Sequence, residues 1–201
     1  EAILQGEYRP IHLAENPPTT HRPPLFSLLL TPLVAVWGRD YLLLKMPIFL
    51  SGVASTALFF IWLRSMKKTP IGDLPLCCIA ALPFAFSPLT IEFSSAIMSE
   101  IPFTVLLLLM LLAIQRWRNE DGKAKRVWFW CSIGFCTAMI LMRTIGLIVT
   151  GALGLGLMAE GLRLRFIAEP EDADGAHRYS QMSRFVFGGS LLTLAFVLFV
   201  A

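Results

Sequence analysis

Residues 127–160 read VWFWCSIGFCTAMILMRTIGLIVTGALGLGLMAE, an apolar run with a single cation, Arg143, at its middle. Whether this stretch is one helix or two decides the topology of the whole chain. As one helix its 34 residues would extend about 51 Å at the α-helical rise. The hydrocarbon core of a bilayer is only ~30 Å thick. Two short helices turning at Arg143-Thr144-Ile145-Gly146 fit better. Each is then slightly short for a bilayer, which suits a turn recessed into a protein-lined cavity.

The rest of the composition agrees with a bilayer as solvent. The chain is 56% hydrophobic and 15% charged, with a mean hydropathy of +0.67. Soluble domains carry roughly 45–50% apolar and about 25% charged residues. The apolar runs are continuous rather than alternating, which favours helices over a β-barrel. The sequence therefore predicts an all-α, polytopic transmembrane helix bundle with about six to seven apolar segments, an integral multi-pass membrane protein. No feature points to nucleic acid. Cys77, Cys78, Cys131 and Cys136 all lie inside apolar runs, where cysteine behaves as a small hydrophobe rather than as a metal or disulfide framework.

Along the chain, 1–24 (EAILQGEYRPIHLAENPPTTHRPP) is polar and proline-rich and reads as an extracytoplasmic loop. The membrane helices occupy 25–160. LFSLLLTPLVAVW (25–37) is too short to span and contains Pro32, whereas 41–63 is a clear span ending in RSMKK. Further runs lie at 74–91, 101–115, 127–142, 144–160 and 185–201, joined by polar connections at 92–100, 116–126 and 161–184. Residues 161–184 read as a cytoplasmic loop, and 185–201 as the start of a further span within the same domain, 1–201. Glu1 is not a methionine and Ala201 falls inside an apolar run, so the chain is expected to be a piece of a longer protein.

The two-helix interpretation of 127–160 places the loops 64–69, 116–126 and 161–184 on one side. They carry twelve of the seventeen basic residues: Arg64, Lys67 and Lys68, then Arg116, Arg118, Lys123, Lys125 and Arg126, then Arg163, Arg165, Arg178 and Arg184. The positive-inside rule assigns that side to the cytoplasm. Trp62, Trp117, Trp128 and Trp130 flank the same loops, as an aromatic belt does. The N-terminal loop, the 92–100 connection and the Arg143 turn then share the extracytoplasmic face.

Ionisable groups at membrane depth are functional candidates by default. Glu100 stands where the run IPFTVLLLLMLLAI begins. A carboxylate there can orient or deprotonate a hydroxyl; equally, Ser99-Glu100-Ile101-Pro102 is the composition of an ordinary helix N-terminus. Arg143, between two hydrophobic helices, must pair with an acid, backbone carbonyls or an anionic ligand. Its fork of donors matches phosphate oxygens, and an ion pair with Glu92 or Glu100 would satisfy it as well. His21 and Arg22, followed by Pro23 and Pro24, are placed to hold a phosphate or a sugar hydroxyl, or simply to lead the chain into the membrane. Lys45 snorkels outward. His12 has no second ligand at useful spacing, and no residue is assigned to a metal.

The order of these parts resembles the polytopic glycosyltransferases of the GT-C class. EAILQGEYR leads to HRPPLFSLLLTPLVAVWGRDYLLLKMPIFLSGVASTALFFIWL, then AFSPLTIEFSSAIMSE, then LMRTIGLIVTGALGLGLM. The pattern covers about residues 1–165. It is similar to bacterial relatives of the protein O-mannosyltransferases and of the lipid A aminoarabinose transferase, a family 39-like arrangement.

The resemblance implies transfer of a sugar, with inversion, from a polyprenyl-phosphate donor to an acceptor hydroxyl on a lipid, glycan or protein. The site would lie on the extracytoplasmic face of a bacterial inner (plasma) membrane. It makes Glu100 the acid of the second outer loop and Arg143, Arg22 and His21 the holders of the donor phosphate. In the family an acid of the first outer loop acts as base or orienter. By the resemblance it would stand just upstream of Glu1, whose own spacing does not match, so the principal catalytic acid is expected to lie outside this sequence. A divalent metal ion is left open as a cofactor.

Two other classes also place isolated charges at membrane depth. One is a transporter or lipid-carrier flippase. The other is a non-catalytic scaffold in which Arg143 and Glu100 form an internal salt bridge. The candidate charges gather on the outer side rather than at midplane, and no repeated half is visible, which weighs against transport.

Overall fold

The computed structural model describes residues 25–38, 40–66, 74–95 and 97–167, with Tyr179, Met182, Ser183, Phe185, Val186 and Gly188 beyond them. Among the described residues there are seven helices and no strand: α1 (Leu25–Trp37), α2 (Tyr41–Ser65), α3 (Leu74–Ala85), α4 (Pro88–Ser95), α5 (Glu100–Asn119), α6 (Gly122–Met142) and α7 (Ile145–Ile167).

Local chemistry sets the boundaries. α1 ends where Gly38 adopts φ +63° and donates its N–H to the Val34 carbonyl at 2.9 Å, a left-handed stop that glycine makes at no steric cost. Asp40 then caps α2, its Oδ1 accepting from Leu42 N–H at 2.9 Å and Leu43 N–H at 3.3 Å. α3 and α4 part at Ser87-Pro88. The residue before a proline is pushed out of the helical region, while proline suits a first helical position. The two axes differ by 56°.

α2, α5 and the Ile145–Arg163 part of α7 are each long and apolar enough to cross a bilayer, and α3 with α4 makes a fourth span if the bent pair is counted as one. This is a multi-pass membrane protein. Of the six to seven apolar segments, the others fall short for physical reasons. α1 has 13 residues, and α6 opens with Lys123, Lys125 and Arg126. Most of 185–201 lies outside the described residues.

α5 and α6 form a hairpin turned by Glu120 and Asp121, with Gly122 at φ +64°. Its core is Met110, Ile114 and Trp117 of α5 against Cys136 and Met139 of α6. α7 folds back onto α6, and its Val149, Leu153 and Leu157 join the same core at four-residue spacing. α2 runs parallel to α5. Near their C-termini Ser65 donates to the Gln115 side chain, and at the other end Gly52 lies against Ser94 and Ile101. Arg64, Arg116, Arg118, Lys123, Lys125 and Arg126 therefore crowd one end of the bundle, with Glu100 and Arg143 at the opposite end.

The connections are shorter than the polarity of the sequence suggests. Residues 92–95 belong to α4, and 116–126 is mostly the ends of α5 and α6. α7 continues into the segment expected as a cytoplasmic loop, 161–184. Within the same segment Met182 and Ser183 are helical and buried, and Tyr179 packs edge-on to Trp117 at 5.5 Å. Trp117 is consequently a core residue rather than part of an aromatic belt, whereas Trp130 is exposed. None of the four cysteines is in a disulfide.

Candidate functional site at the α6–α7 turn

The turn that joins α6 to α7 has two residues, Arg143 and Thr144, and three backbone hydrogen bonds hold it. Arg143 leaves the helix in an extended conformation (φ −152°, ψ 142°) while its N–H still donates to Met139 O at 3.0 Å. Its carbonyl accepts from Gly146 N–H at 2.9 Å, and Thr144 O accepts from Leu147 N–H at 3.1 Å. The return is so tight that a Cβ on Gly146 would overlap the Met139 carbonyl. Only glycine permits this approach.

The extended backbone sends the Arg143 side chain across to α5. Its Nη1 contacts Oε1 of Glu100 in an ion pair. Glu100 is the first residue of α5, where the unpaired N–H groups of the helix end favour a negative charge. The Ser99 side chain makes no capping bond, so the acid is the polar side chain of that terminus. Pro102 needs no intrahelical donor in this first turn, and Phe103 N–H begins the ladder on Ser99 O at 3.0 Å.

The pair lines a cavity of about 310 Å³. Both side chains are partly open to it, Arg143 at 35% exposure and Glu100 at 29%. Phe84 of α3 and Phe93 of α4 form apolar walls, and Phe103 and Thr104 of α5 stand one turn beyond Glu100. Thr90 of α4 adds a hydroxyl. Thr104 spends its own proton on the Glu100 carbonyl at 2.9 Å. α4 is seated over the cavity through Ser94, which fits against α2 only because residue 52 has no side chain.

Of the residues singled out in the sequence, the fold joins Glu100 and Arg143. Glu92 lies on α4, exposed, and is not in the cavity wall. Lys45 sits over the Tyr41 ring at 4.7 Å, one turn toward the start of α2. His21, Arg22 and His12 lie outside the described residues. Phe103 and Thr104 could have been found from helical spacing, since positions three and four residues after Glu100 share its face. Phe93 and Thr90 could not, because their segment carries no helical signature of its own. Among the described residues no three His, Cys, Asp or Glu side chains gather where they could hold a metal ion.

A carboxylate and a guanidinium at a small aromatic-walled cavity can bind an anion, orient a hydroxyl and accept its proton. Comparison with protein-family models, with curated proteins and with solved structures gave no match.

Proposed function

We propose that this chain is the membrane domain of an inverting, GT-C-like glycosyltransferase acting on a polyprenyl-phosphate sugar. What carries the proposal is the convergence of Glu100 and Arg143 on one cavity, at the end of the bundle away from the clustered bases. The order of sequence motifs described above adds to it. The positive-inside rule assigns the basic end to the cytoplasm, which supports an extracytoplasmic cavity; the bacterial inner membrane comes from the resemblance alone.

The chemistry assigns one role to each charge. Glu100 orients the acceptor hydroxyl and takes its proton as the oxygen attacks the anomeric carbon from the face opposite the phosphate. The bond between that carbon and the phosphate oxygen breaks, and its electron pair leaves with the polyprenyl phosphate. Arg143 binds the phosphate as its negative charge grows. Ligand pockets are typically ~300–1,000 Å³, so a cavity of about 310 Å³ suits a sugar and head group, with the prenyl chain left in lipid.

Glu100→Gln and Arg143→Ala, in the intact protein in nanodiscs, are each expected to cut sugar transfer from a labelled polyprenyl-phosphate donor at least about tenfold, a floor set below the ~10²-fold at which losses of a general base or a charge-stabilising donor begin. Expression and gel-filtration profile should hold. Undiminished transfer in both variants removes the assignment. One observation favours a second interpretation, a non-catalytic scaffold: two charges already paired with each other need no ligand. In that case both variants lose folded protein rather than turnover.

A further inference from the structure

The ion pair that brings the site together also closes it. Arg143 holds Oε1 of Glu100, so the carboxylate that would receive the acceptor hydroxyl is engaged by a cation. Both groups reach the cavity, and both are partly solvated rather than sealed in the core. Their anchors differ. Glu100 is fixed at the start of a 20-residue helix, whereas Arg143 hangs from an extended two-residue turn. Arg143 has the longer reach of the two and is as rich in rotamers as Glu100, so it can turn to another anion in the same cavity. A phosphate offers Arg143 more acceptor oxygens and more charge than one carboxylate does.

We propose that the Glu100–Arg143 pair is a latch opened by the phosphate head group of the lipid donor, which takes Arg143 and thereby frees Glu100 for the acceptor. This rests on the donor assignment made above and adds an order to it. The donor binds first, and an acceptor arriving at an empty site meets a carboxylate already occupied.

The test measures carbodiimide modification of Glu100, mapped by mass spectrometry, on the intact protein in nanodiscs. Four conditions are compared: no addition, polyprenyl phosphate, polyprenol of the same length, and inorganic phosphate. Binding of radiolabelled polyprenyl phosphate is followed in parallel. A partly exposed pair protects its carboxylate by about fivefold, so polyprenyl phosphate should raise modification by about that factor while polyprenol leaves it at the base level. If the lipid phosphate binds and Glu100 modification stays level or falls, the latch is overturned while the donor site stands. If the lipid phosphate does not bind, the donor site fails and the latch with it. An equal rise with inorganic phosphate overturns the lipid head group as the trigger. Arg143→Gln should give the high rate in all four conditions, which the wild-type comparison does not depend on.

Discussion

Exchanging the two charges separates a pair that does chemistry from a pair that only holds helices together. In the double variant E100R/R143E a guanidinium sits at the start of α5 and a carboxylate on the α6–α7 turn, so attraction across the cavity is retained. Breaking the pair in either single variant should cost stability between two limits. An exposed pair contributes ~0.2–1 kcal/mol, and breaking a buried one costs ~3–5 kcal/mol. With side chains 29% and 35% exposed, about 1–3 kcal/mol is expected. The exchange should recover most of this, less ~0.3–1 kcal/mol for placing a cation at a helix N-terminus. Catalysis responds differently, because the phosphate donor and the base have changed places. Losing one charge-stabilising donor alone costs ~10²–10³ in rate. The assay pairs thermal unfolding, read by fluorescence-detected gel filtration, with sugar transfer per folded molecule. The expected result is near-wild-type unfolding and transfer at least about a hundredfold down. Transfer per folded molecule that recovers together with stability would refute the chemical role of the pair.

The turn and the helix start give two further tests. Gly146→Val forces a side chain into the Met139 carbonyl, where overpacking costs ~1–3 kcal/mol; it should lower unfolding temperature and transfer together, whereas Gly151→Val, at a site with open space around it, should leave transfer unchanged. Asp40→Ala removes the acceptor for Leu42 and Leu43 N–H and should cost about 1 kcal/mol in a denaturant titration, while Asp40→Asn or Asp40→Ser restores it; the reaction rate should stay level in all three, since Asp40 does not line the cavity.

Much of this architecture was legible because a membrane leaves few choices. The length of 127–160 against the thickness of a bilayer was enough to require a break, and the chain breaks at Arg143, with α6 ending at Met142 and α7 beginning at Ile145. The cost of an isolated charge required some partner for Arg143 but left acid, backbone carbonyls and anionic ligand open, and did not choose between Glu92 and Glu100. Position decides between them: Glu100 begins α5 beside the turn, and Glu92 is carried on α4 with its side chain exposed. What stayed hidden was whatever depends on neighbours distant in sequence. Polarity marked 92–100 as a connection, yet Ser94 finds a seat against Gly52 that makes helix of residues 88–95. Met182 sat in a segment rich in charge, and its burial comes from the α5–α6 core rather than from any local pattern.

The placement of a carboxylate at the head of a strongly apolar helix now has a physical account. Non-helical backbone at membrane depth survives only where protein or water satisfies it, and three of the breaks between the described helices fall together. The α3–α4 bend, the start of α5 and the α6–α7 turn all border the same cavity, contributing Phe84 and Thr90, Glu100, and Arg143 respectively. A bundle built only for stability would do better with leucine at both charged positions, since apolar replacements of an ion pair are often neutral or stabilising. Keeping the two charges and three backbone breaks together is a cost that binding can offset. The measurement that bears on this is therefore stability of the double apolar variant, E100L/R143L. It is expected to unfold at or above the wild-type temperature while losing transfer; a protein that unfolds several degrees lower would mean that the cavity charges serve the fold alone.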